Sequence, residues 1–267
     1  MRIDINIINQ LSERWFNSGI KPGDTILLHS NIRRLLLEFK DKKINLDANL
    51  VLQSFLKTIG NEGTLILPLF NFDFCKGILF DINSTKSRMG ALTELSRAKK
   101  DCVRTGHPVY SFGVFGKKKN IFKNLDNQSA YSDESPFGFL RRLNGKIAVL
   151  DLDDQNSMTY YHHIEEICNV SYRYFKNFTG PYIGFDKKKN MRTYKIFVRK
   201  LDLGIVTNVN PASDLLWKEN LYYGDKPFYK SGLRVINSAL MFDYISHIIK
   251  SGKALNIIYS VNKLSGN

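Results

Sequence analysis

The 267-residue sequence predicts an α/β fold in which helices cover a sheet. Three observations carry this. Residues 4–18 place Ile5, Ile8, Leu11, Trp15 and Phe16 at helical spacing. Short, almost wholly apolar runs at 25–29, 63–68 and 146–152 are bounded by turn residues and read as buried strands. Helix and strand patterns then alternate through the first seventy residues, as a covered sheet requires.

The elements follow in order. After the first helix, Gly19 and Lys21-Pro22-Gly23-Asp24 make a turn into the strand Thr25-Ile26-Leu27-Leu28-His29. Ser30 is a good helix N-cap, and the segment after it carries Arg33 and Arg34. Leu46 to Ile59 is a second amphipathic helix ended by Gly60, and Gly63 to Pro68 a second strand. Residues 71–88 read as loop, Gly90 to Arg97 as a short helix, Val109 to Phe115 as a strand and Asn120 to Asp126 as helical. A polar loop, 127–134, leads to a short helix at Phe137 to Leu143 and the strand Lys146 to Leu152. Thr159 to Cys168 is a helix. The aromatic clusters at 172–174, 194–197 and 222–229 suggest strands and a hairpin-like layer; Leu240 to Ile249 is a last helix and Leu255 to Tyr259 a last strand. No linker or repeat divides the chain, so one domain over residues 1–267 is expected.

Composition narrows the function. No run of 18 apolar residues exists and the N-terminus lacks a leader pattern, so a cytoplasmic protein without membrane insertion is expected. Three widely spaced cysteines give neither a CxxC metal pattern nor a disulfide framework. Lys plus Arg is 39 against 25 Asp plus Glu, a net charge of +14 that attracts anions, including phosphorylated small molecules. The lysines cluster in short loops, and no nucleic-acid-binding motif accompanies them, so no nucleic-acid partner is expected.

Two residues about sixty apart suggest proton transfer. His107, in Gly106-His107-Pro108, is held extended by the proline after it. Glu165 lies on the 159–168 helix, sharing a face with His162 and pointing away from Glu166. A neutral imidazole accepts a proton near pH 7, and a carboxylate fixes its tautomer. The expectation is a His107–Glu165 pair. The adjacent His162 and His163 lack HExxH spacing, so no metal site is expected. Ser30 to Arg34 follows a strand and offers helix-start N–H groups and two guanidinium groups to an anion. No GxSxG elbow or cysteine nucleophile motif is present.

Six segments in order resemble the aminoglycoside 3-N-acetyltransferase family: Gly23 to Ser30, Gly60 to Pro68, Ser87 to Leu95, Gly106 to Phe112, Ser135 to Gly138 and Thr159 to Glu165. The resemblance spans roughly residues 15–250 and implies a three-layer α/β/α sandwich with a mixed central sheet, distinct from the commoner GNAT acetyltransferases. It implies direct transfer of an acetyl group from acetyl-CoA to an amine of an amino sugar. His107 would be the general base, Glu165 its orienting partner and Thr159 a donor to the developing oxyanion. His29, Ser30, Asn31, Ile32, Arg33 and Arg34 would hold the CoA phosphates. Ser111, Phe112, Ser135 and Pro136 would line the pantetheine and thioester.

Two departures bear on the acceptor. Arg88-Met89 stand where some members carry an aspartate, and the 147–152 strand runs into Asp153-Asp154 instead of a glycine-rich ending. An aminoglycoside is a polycation that the net charge repels unless Asp151, Asp153, Asp154 and Glu166 form a local acidic pocket. A nucleotide-linked amino sugar for surface-polysaccharide synthesis is the slightly favoured acceptor on charge, with an aminoglycoside the alternative and a non-catalytic relative that binds CoA or an anion a further one. A homodimer is compatible with the sequence, which leaves the oligomeric state open.

Overall fold

The computed structural model describes residues 2–262. Its centre is a seven-stranded sheet. In chain order the strands are β1 (Thr25–Ser30), β2 (Thr64–Pro68), β3 (Phe80–Asp81), β4 (Val103–Arg104), β5 (Phe112–Gly116), β6 (Lys146–Leu150), β7 (Arg173–Ile183), β8 (Lys189–Arg199), β9 (Ile205–Thr207), β10 (Tyr223–Gly224), β11 (Leu233–Asn237) and β12 (Tyr259–Val261). The central sheet runs β10-β11-β6-β1-β2-β5-β4. Its middle three strands are parallel, and both flanks are antiparallel. The sheet is therefore mixed.

Helices cover both faces, and the strand side chains divide accordingly. Ile26 and Leu28 of β1, with Leu65 and Leu67 of β2, face α1 (Arg2–Asn17), α2 (Arg33–Asp41), α3 (Ala48–Ile59) and α4 (Ala91–Arg97). Leu27, Ile66, Ile147 and Val149 face the other way. There they meet α5 (Pro136–Arg142), α6 (Tyr160–Ile167), α7 (Asn210–Lys218) and α8 (Ser238–Lys250). Strands buried on both faces read as unbroken apolar runs, which is why 25–29, 64–68 and 146–150 stand out in the sequence. Trp15 and Phe55 stack with ring centroids 4.7 Å apart, and Trp15 Nε1 donates to Ser54 Oγ, locking α1 to α3.

Several elements differ from the sequence reading. The loop-like 71–88 contains β3, which pairs in parallel with the end of β7. Leu233–Asn237 is a full strand of the central sheet, and α7 starts on Pro211 in its first turn; neither stood out from a region dense in aromatics and polar residues. The aromatic clusters at 172–174 and 194–197 are parts of one long ribbon, with β7 and β8 paired from Arg173↔Arg199 to Ile183↔Lys189. The 120–126 segment makes only a single tight turn. Ser30 does not cap α2: it ends β1, and the cap position falls on Ile32, with Asn31 Oδ1 accepting from Arg33 N–H instead. Among the described residues no helix is long and apolar enough to cross a membrane.

Candidate active site

The parallel strands β6, β1 and β2 bring their C-terminal ends together at one edge, where open α/β sheets place ligands. A cavity of about 630 Å³ lies there. His29 to Arg33 after β1, Pro68 closing β2, Leu152 after β6 and Arg88 to Thr93 at the start of α4 line it. Its walls are largely apolar, with Ile32, Leu36, Leu37, Met89 and Leu92, while Arg33 and Arg88 bring positive charge. His29 Nε2 and Ser30 Oγ are buried against this cavity without a hydrogen-bond partner. Burial pushes the His29 imidazole down to about 3, so it stays neutral. Unpaired polar atoms on an apolar cleft await a ligand with hydrogen-bonding groups.

A small cleft of about 130 Å³, lined by Asp154, Thr159, Tyr161 and His162, shares Asn156 with this cavity. A third, of about 400 Å³, shares Gln155, His162 and Thr207 with the small cleft and is walled by Phe72, Tyr110, Tyr131, Phe178 and Phe197 and by Arg173 and Arg199. His162 thus lines both the second and the third cleft.

The local sequence explains its placement. On α6, Tyr160, Tyr161, His163 and Ile164 enter the core, and the i,i+3 spacing stacks His162 over Glu165 on another face. His162 Nδ1 lies 2.8 Å from Glu165 Oε2, and its side chain keeps 21% exposure while Glu165 keeps 1%. Arg173, the first residue of β7, brings Nε to 2.8 Å from the same carboxylate oxygen and a terminal nitrogen to 2.9 Å from His162 Nδ1. Its other terminal nitrogen donates to the Phe197 carbonyl, fixing the guanidinium. Burial pushes the Glu165 carboxyl up, but Arg173 and His162 outweigh it and hold the group below the usual carboxylate range. The Glu165 carboxylate and the Arg173 guanidinium both face His162 Nδ1, which orients the ring with Nε2 turned away from them. Burial and the Arg173 charge lower the imidazole, so it is neutral at pH 7. A neutral imidazole held in this way can serve as a general base.

The histidine singled out from the sequence, His107, is not the one that the structure joins to Glu165. His107 is completely buried. Its Nδ1 accepts the backbone N–H groups of Val109 and Tyr110, and its ring packs against Tyr194. Burial holds its imidazole down to about 3. No hydrogen bond or ion pair joins it to Glu165 among the described residues. It ties a turn inside the core, whereas His162 faces the cleft. The signal for His162 was present, as an i,i+3 partner of Glu165. Nothing in the sequence singles out Arg173.

The other anticipated residues divide. His29, Ser30, Asn31, Ile32 and Arg33 line the large cavity, and Thr159 shares the small cleft with His162. Arg34 turns away: its Nε and a terminal nitrogen form a fork on Asp151 at 2.8 and 3.0 Å. Ser111, Phe112, Ser135 and Pro136 line none of these cavities. Ser111 Oγ accepts from Arg104 and donates to the Leu69 carbonyl, Phe112 packs in the core, and Ser135 Oγ donates to the Ser132 carbonyl ahead of Pro136 in α5.

No acidic pocket forms from the four acids anticipated for one. Asp151 pairs with Arg34, and Asp154 accepts from Arg234, Tyr161 and Tyr222. Glu166 accepts from Ser129, and Asp153 accepts the Asn156 backbone N–H. None of them lines the aromatic cleft.

A family model described as aminoglycoside 3-N-acetyltransferase matches residues 27–249. The chain is 26% identical over 200 residues to the SPbeta prophage-derived aminoglycoside N(3')-acetyltransferase-like protein YokD of Bacillus subtilis (strain 168), covering 66% of this chain and 70% of that protein. Its fold is similar to that of AAC-IIIb solved as a binary complex with CoASH, with a TM-score of 0.76, 16% identity and coverage of 92% and 96% of the two chains. It is equally similar to sisomicin-bound AAC-VIa, with a TM-score of 0.75, 16% identity and coverage of 92% and 98%.

Proposed function

The chain belongs to the aminoglycoside 3-N-acetyltransferase family and is an acyltransferase with acetyl-CoA as donor, and we propose that His162 is its general base. The observation that carries this reading is the His162–Glu165–Arg173 arrangement, with His162 lining both the second and the third cleft. The 630 Å³ cavity fits the donor: its apolar wall suits a pantetheine arm, Arg33 and the α2 start suit phosphates, and His29 and Ser30 offer unpaired polar atoms. The aromatic cleft is then the acceptor side.

Transfer proceeds with both substrates bound. His162 Nε2 takes a proton from the acceptor amine as the amine nitrogen bonds to the acetyl carbonyl carbon. The carbon–sulfur bond breaks, the thiolate leaves, and the proton on His162 neutralises it. Glu165 stabilises the transient imidazolium, and Arg173 keeps Glu165 charged. Thr159, at the start of α6 in the same cleft, donates to the developing oxyanion. No covalent acetyl-enzyme is required.

The acceptor is an amino sugar carrying negative charge, with a nucleotide-linked amino sugar as the favoured class. Arg173 and Arg199 line the acceptor cleft with five aromatic rings, those of Phe72, Tyr110, Tyr131, Phe178 and Phe197, and no Asp or Glu. Rings suit a nucleobase and guanidinium groups suit phosphate. A second reading, an aminoglycoside, draws on the sisomicin-bound relative. A thiol-release assay with acetyl-CoA separates them. Turnover of nucleotide-linked amino sugars, lost in His162→Asn, supports the proposal. Turnover of aminoglycosides alone refutes the acceptor class, and full activity in His162→Asn refutes the base.

A further inference from the structure

A cavity of about 320 Å³, sharing no lining residue with the three clefts above, opens between β4, the loop after β3 and the tip of the β7–β8 ribbon. Arg97, Arg104, Lys123 and Lys187 line it, and no Asp or Glu does. Arg104 is 9% exposed. Its guanidinium donates only to neutral oxygens, namely the Ile82 and Thr85 carbonyls and Ser111 Oγ, and among the described residues it has no ion pair. Arg97 is shared with Glu94, while Lys123 and Lys187 reach from the exposed rim. The guanidinium also lies 4.9 Å from the Phe80 ring centroid, and Glu94 and Asp81 attract it without forming an ion pair with it, so burying it is costly and the burden grows when three more cations converge on the same space. Burial and the Arg97 charge together push Arg104 down to about 10. Lys187 holds its backbone in the left-handed region (φ 58°), a conformation that lysine seldom adopts.

We propose that this cavity is a second anion site, which takes the phosphate groups of a small phosphorylated metabolite apart from the transfer reaction. A phosphate group supplies what the site lacks: a counter-charge for Arg104 and acceptor oxygens for the remaining N–H donors. Half-exposed Phe185 on the same wall gives the non-phosphate part of the ligand an apolar surface. Ser111, which Arg104 grips, directly follows Tyr110 of the acceptor cleft.

The test is calorimetric titration of the whole protein, saturated with coenzyme A to block the donor cleft, using inorganic pyrophosphate and, separately, AMP. Binding of either probe is expected, weakening as salt rises. The double variant Lys123→Gln/Lys187→Gln should bind at least ten-fold more weakly while retaining acetyl transfer, because neither lysine touches the other clefts. Arg104→Lys, which keeps the charge but loses the planar fork, should also weaken binding. Failure of both probes to bind, or unchanged affinity in the double variant, would overturn the proposal.

Discussion

Replacing Glu165 by glutamine tests the proposed chemistry with the least disturbance of shape. The amide is isosteric, so its oxygen can keep both contacts of Oε2, to His162 Nδ1 and Arg173 Nε, at their 2.8 Å spacing. Only the charge is lost. A carboxylate about 4 Å from the imidazolium centre is worth about 4 kcal/mol at an effective dielectric constant of about 20. Arg173, no longer neutralised, then opposes the imidazolium as well. Since the imidazolium forms as the amine is deprotonated, kcat should fall by about 10² to 10³. The KM for acetyl-CoA should stay unchanged, because Glu165 lines none of the cavities. The assay is thiol release at saturating acetyl-CoA from pH 6 to 9, with His162→Asn and His107→Asn alongside. His162→Asn should fall at least as far as Glu165→Gln. His107→Asn, measured on folded protein, should keep kcat within about three-fold, a bound set by the absence of any contact between His107 and the dyad. A Glu165→Gln enzyme with the parent kcat across this range would refute the reasoning. So would a His107→Asn enzyme as slow as His162→Asn.

Other outcomes follow from the same geometry. The kcat/KM of the parent enzyme should rise with pH through a midpoint below 6.5, because burial and Arg173 lower His162 and only its neutral form accepts a proton. Arg173→Gln should move that limb to higher pH, and a limb that stays in place would show that Arg173 does not act on His162. Arg33→Gln should raise the KM for acetyl-CoA by about three- to ten-fold with little change in kcat, an effect that shrinks at high salt. Acid should destabilise the fold. His29 and His107, held down to about 3, and His163, held down to about 4, stay neutral when folded and protonate near 6.5 when unfolded. Their contribution is therefore complete above pH 6.5 and is lost as pH falls below it, by about 2 kcal/mol each at pH 5. Melting temperatures from pH 7 to 5 should show the decline, and His107→Gln should flatten it.

What the sequence revealed, and what it withheld, has a physical pattern. The central parallel strands are buried on both faces and announce themselves as apolar runs, whereas β11 hides in a stretch where Arg234 is buried by pairing with Asp154. The segment after β1 stood out in the sequence, and His29 to Arg33 do line the large cavity, because strand ends and helix starts are local features. The choice between His107 and His162 was not local. His107 precedes a proline and looks exposed and extended, yet its own turn consumes its Nδ1. The role proposed for His162 depends on Arg173, eleven residues further along and on another element, and on clefts assembled from several separate segments. The acidic pocket failed for the same reason: each acid looked free in sequence, but most are held by a cation or a hydroxyl from a distant part of the chain.

The large cavity and the aromatic cleft share no lining residue: the first draws on β1, α2 and α4, the second on the β7–β8 ribbon and the loops beside it. With donor and acceptor assigned to them as proposed, each wall can change independently in evolution. Substitutions along the ribbon can alter which amine is recognised while the grip on acetyl-CoA persists, so a lineage could move from one acceptor to another without passing through a form that no longer binds its donor.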